Sequence, residues 1–362
     1  PEHVIKTLEP AVQGYYYTFA SLIAIQSFFE LGLGIVISVY ASHEWFKLRL
    51  DEHGHIAGDE SARSRMISLG RFIFVYFGIA GIIYLLVTAL TGYMVLGRDK
   101  TLHFDWLLPW LFHVLFSAIS LWLMPFLSLL EGCNQVAATA RFRLAQSVSA
   151  NAVMWLAFAS GLGLWAAPIY SGMAAILLGL YIGLARRSFF AAFLESPKAG
   201  AISWKNDLFP MQWRLAVQAL FSYFTFPLYT VLAYTYFGAI EAGRMGMSLQ
   251  VIGGIQSFAM VFLMARAPEF AILAASGKSQ TLELEWKRAS IRSLYVMAAL
   301  FALIIAAQIV AIELGLFKTT RILSTPTFLI LATGALAVGV VQCIAVYLRA
   351  HKRELLTWIG VS

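Results

Sequence analysis

Nine stretches of this chain are apolar for long enough to cross a bilayer, and that property alone leaves few folds open. They lie near residues 11–41, 68–96, 106–130, 144–165, 169–185, 213–237, 244–265, 292–316 and 326–348. A spanning helix needs roughly 20 mostly apolar residues, and a helix satisfies its own backbone N–H and C=O groups where no water can. Charged residues make up only 12% of the chain and hydrophobic residues 60%. Soluble domains carry about 25% charged residues, so too little polar surface remains here to cover a particle in water. The expected fold is an all-α polytopic membrane protein with about nine transmembrane helices. The weakest runs are 144–165, diluted by Gln146, Ser147, Ser149 and Asn151, and the short 169–185. Only a few residues around Ala166-Ala167-Pro168 separate these two, which predicts a tight helical hairpin.

Nine spans put the two ends on opposite sides, and the basic residues then set the orientation. With the first residue outside, the inner segments hold Lys47, Arg49, Arg63, Arg65 and Arg71, then Arg141 and Arg143. Arg186, Arg187, Lys198, Lys205 and Arg214 follow, then Arg266, Lys278, Lys287, Arg288 and Arg292, and finally Arg349, Lys352 and Arg353. These are 20 of the 26 Lys and Arg residues, and only Lys6, Arg98, Lys100, Arg244, Lys318 and Arg321 fall outside. The inter-helix basic loops are therefore expected to be cytoplasmic. The same distribution argues against nucleic acid as a partner despite a net charge of +7, because no continuous basic stripe tracks phosphates. The chain starts at Pro1 and ends on Leu355–Ser362, which reads like the opening turns of another apolar run. A fragment lacking both ends is expected. Cys133 and Cys343 are isolated and read as unpaired thiols.

Two inner loops share a pattern. Glu44-Trp45-Phe46-Lys47-Leu48 leaves one apolar run, and Glu269-Phe270-Ala271-Ile272-Leu273 leaves another, each before a polar loop and a new span. Equal topology and similar loop length predict two related bundles in the same orientation, an arrangement common among transporters. Enzyme signatures are absent: the chain has no Asp-x-Asp, His-Glu-x-x-His, Gly-x-Ser-x-Gly or phosphate-cradling glycine loop with a lysine. No enzyme, cofactor or metal is expected. His53 and His55, beside Asp51 and Glu52, are the closest histidine pair, and a solvated loop accounts for them.

Polar residues within apolar runs carry more information, since each costs free energy unless it faces a cavity or a partner. Glu30 lies one turn from Gln26, and with Phe19 and Ser38 it outlines one face of the first run. A mid-span acid costs about 3 kcal/mol on an insertion scale, so Glu30 is expected to pair, protonate or line water. A structural hydrogen bond to a neighbouring helix competes with that reading. From Trp213 onward, Arg214, Gln218, Ser222, Thr225, Tyr229 and Tyr236 recur at helical steps. An arginine followed by amide, hydroxyl and phenol groups suits a phosphate or sugar ligand; the alternative is that Arg214 snorkels to the inner interface. His113, Ser117, Ser120, Met124 and Ser128 form a further face in a run that contains Pro109 and Pro125. The run 244–265 carries Gly246, Gln250, Gly253, Gly254 and Ser257, small residues that permit close helix packing.

Several phrases resemble polysaccharide (O-antigen-type) flippases of the multidrug/oligosaccharidyl-lipid/polysaccharide exporter superfamily. They are Gly14-Tyr15-Tyr16-Tyr17-Thr18-Phe19, Phe29-Glu30-Leu31-Gly32-Leu33-Gly34, Ala41-Ser42-His43-Glu44-Trp45, Gln212-Trp213-Arg214-Leu215-Ala216, Glu241-Ala242-Gly243-Arg244-Met245-Gly246-Met247-Ser248 and Ala267-Pro268-Glu269-Phe270. The resemblance implies two six-helix bundles around a central cavity that opens alternately to each side. On that plan, residues 1–194 hold the second to sixth spans, 195–212 a cytoplasmic linker, and 213–362 the seventh to tenth spans. It further implies a multi-pass protein of the bacterial cell inner membrane. Its substrate would be a polyprenyl-pyrophosphate-linked oligosaccharide, moved from the inner to the outer leaflet. Its partners would be the bilayer and a polysaccharide polymerase or export machinery. Arg214, Gln218, Ser222, Tyr229, Gln26 and His113 are then the substrate-cavity candidates, and Glu30 the candidate for H⁺ or Na⁺ coupling. A cation-coupled multidrug antiporter of the same superfamily is the alternative, and a membrane glycosyltransferase or polymerase a more distant one.

Overall fold

The computed structural model describes residues 10–97, 105–198, 200–209, 212–213, 215–217, 224, 227–275, 278–314 and 321–350. Helices cover most of eight of the nine apolar runs, while 213–237 is described only in part. Among the described residues, six helices are long and apolar enough to cross a membrane, or seven if one bent pair forms a single span. The chain is thus an all-α, multi-pass protein in architecture, and it divides into two compact units, 1–236 and 237–362. That division falls beyond the 195–212 stretch read as a linker.

The first unit opens with α1 (Pro10–Ile23), a 3₁₀ turn (Ala24–Gln26), α2 (Ser27–Glu30) and α3 (Leu33–Trp45). The run 11–41 is therefore not one straight helix. Leu31 and Gly32 take left-handed dihedrals (φ +47° and +69°), and the chain bends by 42° there. A short antiparallel hairpin follows, β1 (Leu48–Leu50) with β2 (Ile56–Gly58), inside a loop that the sequence presents only as polar. Next comes α4 (Glu60–Leu96), whose first turn is capped by Asp59 Oδ1 accepting from the Ala62 N–H at 2.8 Å. Along α4 one face is buried through Met66, Ile73, Phe77 and Tyr84, while Ile82 and Leu86 are 62% and 65% exposed. Large apolar groups left open at that density belong against lipid.

The bundle continues with α5 (Leu107–Gly132), α6 (Val136–Ala159) and α7 (Ala166–Leu180), the last extended by a π-helical turn (Tyr181–Ala185) and α8 (Arg187–Ala191). α5 is central, with α3, α4 and α7 packed on it. The α3 contact is close because Gly132 has no side chain: a β-carbon there would overlap the Ser38 carbonyl and Ala41. α6 begins eight residues before the apolar run 144–165 and ends six before its close. Arg141 and Arg143 consequently lie on a helix and not in the loop to which charge counting assigns them. The Val-Ala-Ala-Thr-Ala stretch from Val136 is rich in alanine, which favours early helix onset. α6 is not among the six membrane-length apolar helices; its arginines, Gln146, Ser147 and Asn151 dilute it. The α6–α7 hairpin is present, with its turn at Ser160–Leu162, a 3₁₀ segment (Gly163–Trp165), and Pro168 in the first turn of α7. Proline is tolerated there because first-turn N–H groups have no intrahelical acceptor.

The second unit contains α10 (Ala239–Met264), α11 (Ala267–Ala275), α12 (Ser279–Glu313) and α13 (Thr325–Ala350), entered from α9 (Pro227–Phe237). Its core holds Ile252, Met260, Leu263, Phe270, Met297, Phe301 and Phe328. Helix lengths repeat between the units. Glu60 follows Trp45 by 15 residues and Ser279 follows Met264 by 15. α4 and α12 then run for 37 and 35 residues, and α5 and α13 for 26 each. The repeated Glu-aromatic phrase does not mark equivalent places, since Glu44 ends α3 whereas Glu269 lies within α11.

Candidate functional site

The three helices α5, α6 and α7 line a half-open cavity of about 140 Å³ within the first unit. Its lining repeats at helical steps on each: Ser120, Met124 and Leu127; Arg143, Gln146, Ser147 and Ala150; Tyr170, Ala174 and Leu178. Steps of three and four residues put each set on one face. Gln146 is held by its Nε2 donating to the Ala174 carbonyl at 2.7 Å, which ties α6 to α7 across the cavity. Arg143 is the cation of this lining. Its Nε and Nη2 donate to the same oxygen, Oε1 of Glu131, at 3.1 and 3.0 Å. Glu131 continues the Ser120–Met124–Leu127 face toward the C-terminal end of α5.

The broken first run packs on α5 beside that face, around Ser128 and Gly132. Glu30 is the last helical residue before the left-handed pair Leu31–Gly32. A β-carbon on Gly34 would sit 3.1 Å from Ser128 Oγ and 3.2 Å from Glu30 Oε1, so both oxygens converge over that bare Cα. At Gly32 the neighbour is Leu215, whose Cβ would be 2.5 Å from an added β-carbon. Among the described residues, the charge that reaches the Glu30 carboxyl is that of Arg143. A half-helix that ends within a bundle also leaves carbonyls without intrahelical donors, and such ends occur in membrane proteins where they face protein or a water-filled cavity.

The predicted site residues separate into distinct places. Arg214, Gln218 and Ser222 lie outside the described residues. Tyr229 is on α9 and 44% exposed, as is the still more open Tyr236; the buried face of that helix is Thr230, Ala233 and Tyr234. Tyr234 donates to the Leu96 carbonyl at 3.3 Å and meets Tyr15 edge-on. Gln26 is half-buried in the 3₁₀ turn one helical turn before the break. His113 is buried, with Nδ1 2.9 Å from Ser171 Oγ and its ring stacked on Phe19. It pins α5 to α7 and is not in the cavity lining. Arg143 and Glu131 went unrecognised in the sequence because charge counting placed the arginine in a loop. The signal that was present is the polar dilution of the fourth run, Gln146 and Ser147.

In the turn between β1 and β2, Asp51 Oδ1 accepts from the N–H groups of His55 and His53 at 2.8 and 2.9 Å. Those bonds hold the Asp51 carboxyl below the usual range. Among the described residues no three His, Cys, Asp or Glu side chains are grouped to hold a metal. The segment after α8 is strapped to α4: Arg63 Nη2 donates to Glu195 Oε1 at 2.7 Å, Ser64 Oγ to the Gly200 carbonyl at 3.0 Å, and the Ile202 N–H to Ser68 Oγ at 3.1 Å. The Arg63 hydrogen bond lowers the Glu195 carboxyl from its ordinary value. No family model matches the chain, and no curated protein or solved structure shows significant similarity to it.

Proposed function

We propose that the chain is a transporter that moves a polyprenyl-pyrophosphate-linked oligosaccharide from the inner to the outer leaflet of the cytoplasmic membrane by alternating access, for cell-surface polysaccharide export. The observation that supports this reading most is the α5–α6–α7 cavity, where one arginine stands among hydroxyl, amide and phenol groups. Arginine recognises phosphate, hydroxyl and amide groups recognise sugar, and an aromatic ring gives a sugar face a surface to stack on. The repeated helix lengths of the two units agree with the paired bundles common in transporters. On this reading the nine apolar runs are nine spans, the basic loops are cytoplasmic, and no step of covalent chemistry is assigned to the chain. Glu30 at the helix break is the coupling residue for H⁺ or Na⁺.

A second reading, a cation-coupled multidrug antiporter, is favoured by Glu30 together with the aromatic residues of α1. Deletion separates the two. The flippase reading expects lipid-linked repeat units to accumulate on the inner leaflet and surface polysaccharide to be lost. Normal surface polysaccharide in a deletion strain without a paralogue, accompanied by sensitivity to cationic drugs, would replace it with the antiporter.

A further inference from the structure

Two arginine–glutamate pairs in the first unit have different geometry. Arg65 grips Glu44 with a full fork, Nε to Oε1 at 2.9 Å and Nη2 to Oε2 at 2.7 Å. Arg143 directs its Nε and Nη2 N–H groups at one oxygen of Glu131, at longer distances. A guanidinium fork matches the two oxygens of a carboxylate or phosphate, so the second pair forgoes part of the energy that the first obtains. Arg65–Glu44 joins the end of α3 to the start of α4, whereas Arg143 lines the cavity. The side chain that faces the open space is thus the one held less completely.

We propose that Arg143 is the donor of an oxyanion site in the α5–α6–α7 cavity, and that Glu131 is its resident occupant, displaced when a phosphate-bearing group enters. Displacement, and not simple addition, follows from charge. Glu131 already neutralises the guanidinium, and Glu30 stands within its field as a second carboxyl. A further anion beside that set meets repulsion unless it takes the place of Glu131. The hydroxyls of Ser120 and Ser147 flank the same cavity and can donate to phosphate oxygens that the arginine does not reach. The ligand chemistry is a phosphate or pyrophosphate, carried by a lipid or free in the cytoplasm. The identity of the lipid rests on the flippase reading; the oxyanion site itself does not.

The test is binding to the purified full chain in detergent, with inorganic pyrophosphate and farnesyl pyrophosphate as probes. Glu131→Gln keeps the shape of the occupant and removes its charge, and is expected to tighten binding by about tenfold, the equivalent of one charged hydrogen bond no longer in competition. Arg143→Ala is expected to abolish binding. Since that change leaves Glu131 unpaired and can disturb folding, the double variant Arg143→Ala/Glu131→Gln is measured beside it and is expected not to bind. Unaltered binding in the double variant, or unaltered or weaker binding in a folded Glu131→Gln protein, would overturn the proposal. Binding of farnesyl pyrophosphate alone identifies a lipid-borne phosphate, and equal binding of both probes identifies the headgroup as sufficient. If the site binds while deletion leaves lipid-linked units undisturbed, the oxyanion site stands and the flippase reading falls.

Discussion

The apolar helical run that ends 15 residues before the long helix of each unit meets its glycines differently. In the first unit it breaks, with Leu31 and Gly32 left-handed, α1–α2 ending at Glu30 and α3 restarting at Leu33. In the second unit α10 runs unbroken from Ala239 to Met264 through the adjacent Gly253 and Gly254. Glycine therefore permits a break without causing one. A left-handed leucine costs about 1–2 kcal/mol, so the broken form persists only where its surroundings compensate. At Gly32 the surroundings are tight, with Leu215 occupying the space of a side chain; around Gly253 and Gly254 nothing among the described residues lies within 4 Å of an added β-carbon. Packing and a carboxylate distinguish the two regions, and the glycines do not.

The largest effect that can break this comparison comes from the glycines themselves. Gly32→Ala should destabilise the protein by about 2–4 kcal/mol, combining left-handed strain with overlap on Leu215. Gly253→Ala should be neutral or stabilise by up to about 1 kcal/mol through helix propensity. Equal melting temperatures for the two variants in detergent would show that Gly32 is not under the constraint its geometry describes. Gly34→Ala is the next test: it crowds Glu30 and Ser128 without leaving the helical region. Transport should fall severalfold while the melting temperature changes little, and Gly254→Ala should leave transport intact.

The ion pairs at the starts of α4 and α12 provide a smaller contrast. Glu44→Gln breaks a half-buried, two-oxygen fork with Arg65 and should cost about 1–2 kcal/mol. Glu285→Gln, which frees the more exposed Arg266 and Arg288, should cost less. Thermal unfolding of the two variants in the same detergent measures the difference, and a larger loss for Glu285→Gln would reverse the ranking. The smallest effect concerns acid. The Glu195 carboxyl is lowered by its bond to Arg63, so its contribution is complete above the ordinary glutamate range and disappears as pH falls through the lowered value. The protection factor of the Ile202 amide, bonded to Ser68, should fall on acidification once the intrinsic exchange rate is divided out. Glu195→Gln should exchange faster at neutral pH and lose that acid dependence.

How much was legible along the chain varies with the physics involved. The apolar runs and the all-α architecture were legible because hydropathy and helical length are local properties. The α6–α7 hairpin was legible for the same reason, although Pro168 entered the helix instead of the turn. The site was legible only in part. Glu30 and Gln26 were singled out as polar residues in an apolar run, and they lie at the break and one turn before it. His113 was singled out on the same ground and pins two helices together. Arg143 was read as a loop charge because the alanine-rich start of α6 carries no apolar signal. Whether Arg214, Gln218 and Ser222 share the site lies outside the described residues.

The sequence by itself determined that this chain forms membrane-length helices, since transfer of apolar residues from water depends on composition along a single segment. Tertiary structure alone decided which of two glycine-containing helices breaks, which arginine faces a cavity, and which carboxylate it meets. A left-handed turn and an ion pair each draw their energy from neighbours distant in the chain, as Leu215 is from Gly32 and Glu131 from Arg143. Those neighbours exist only once the helices have packed.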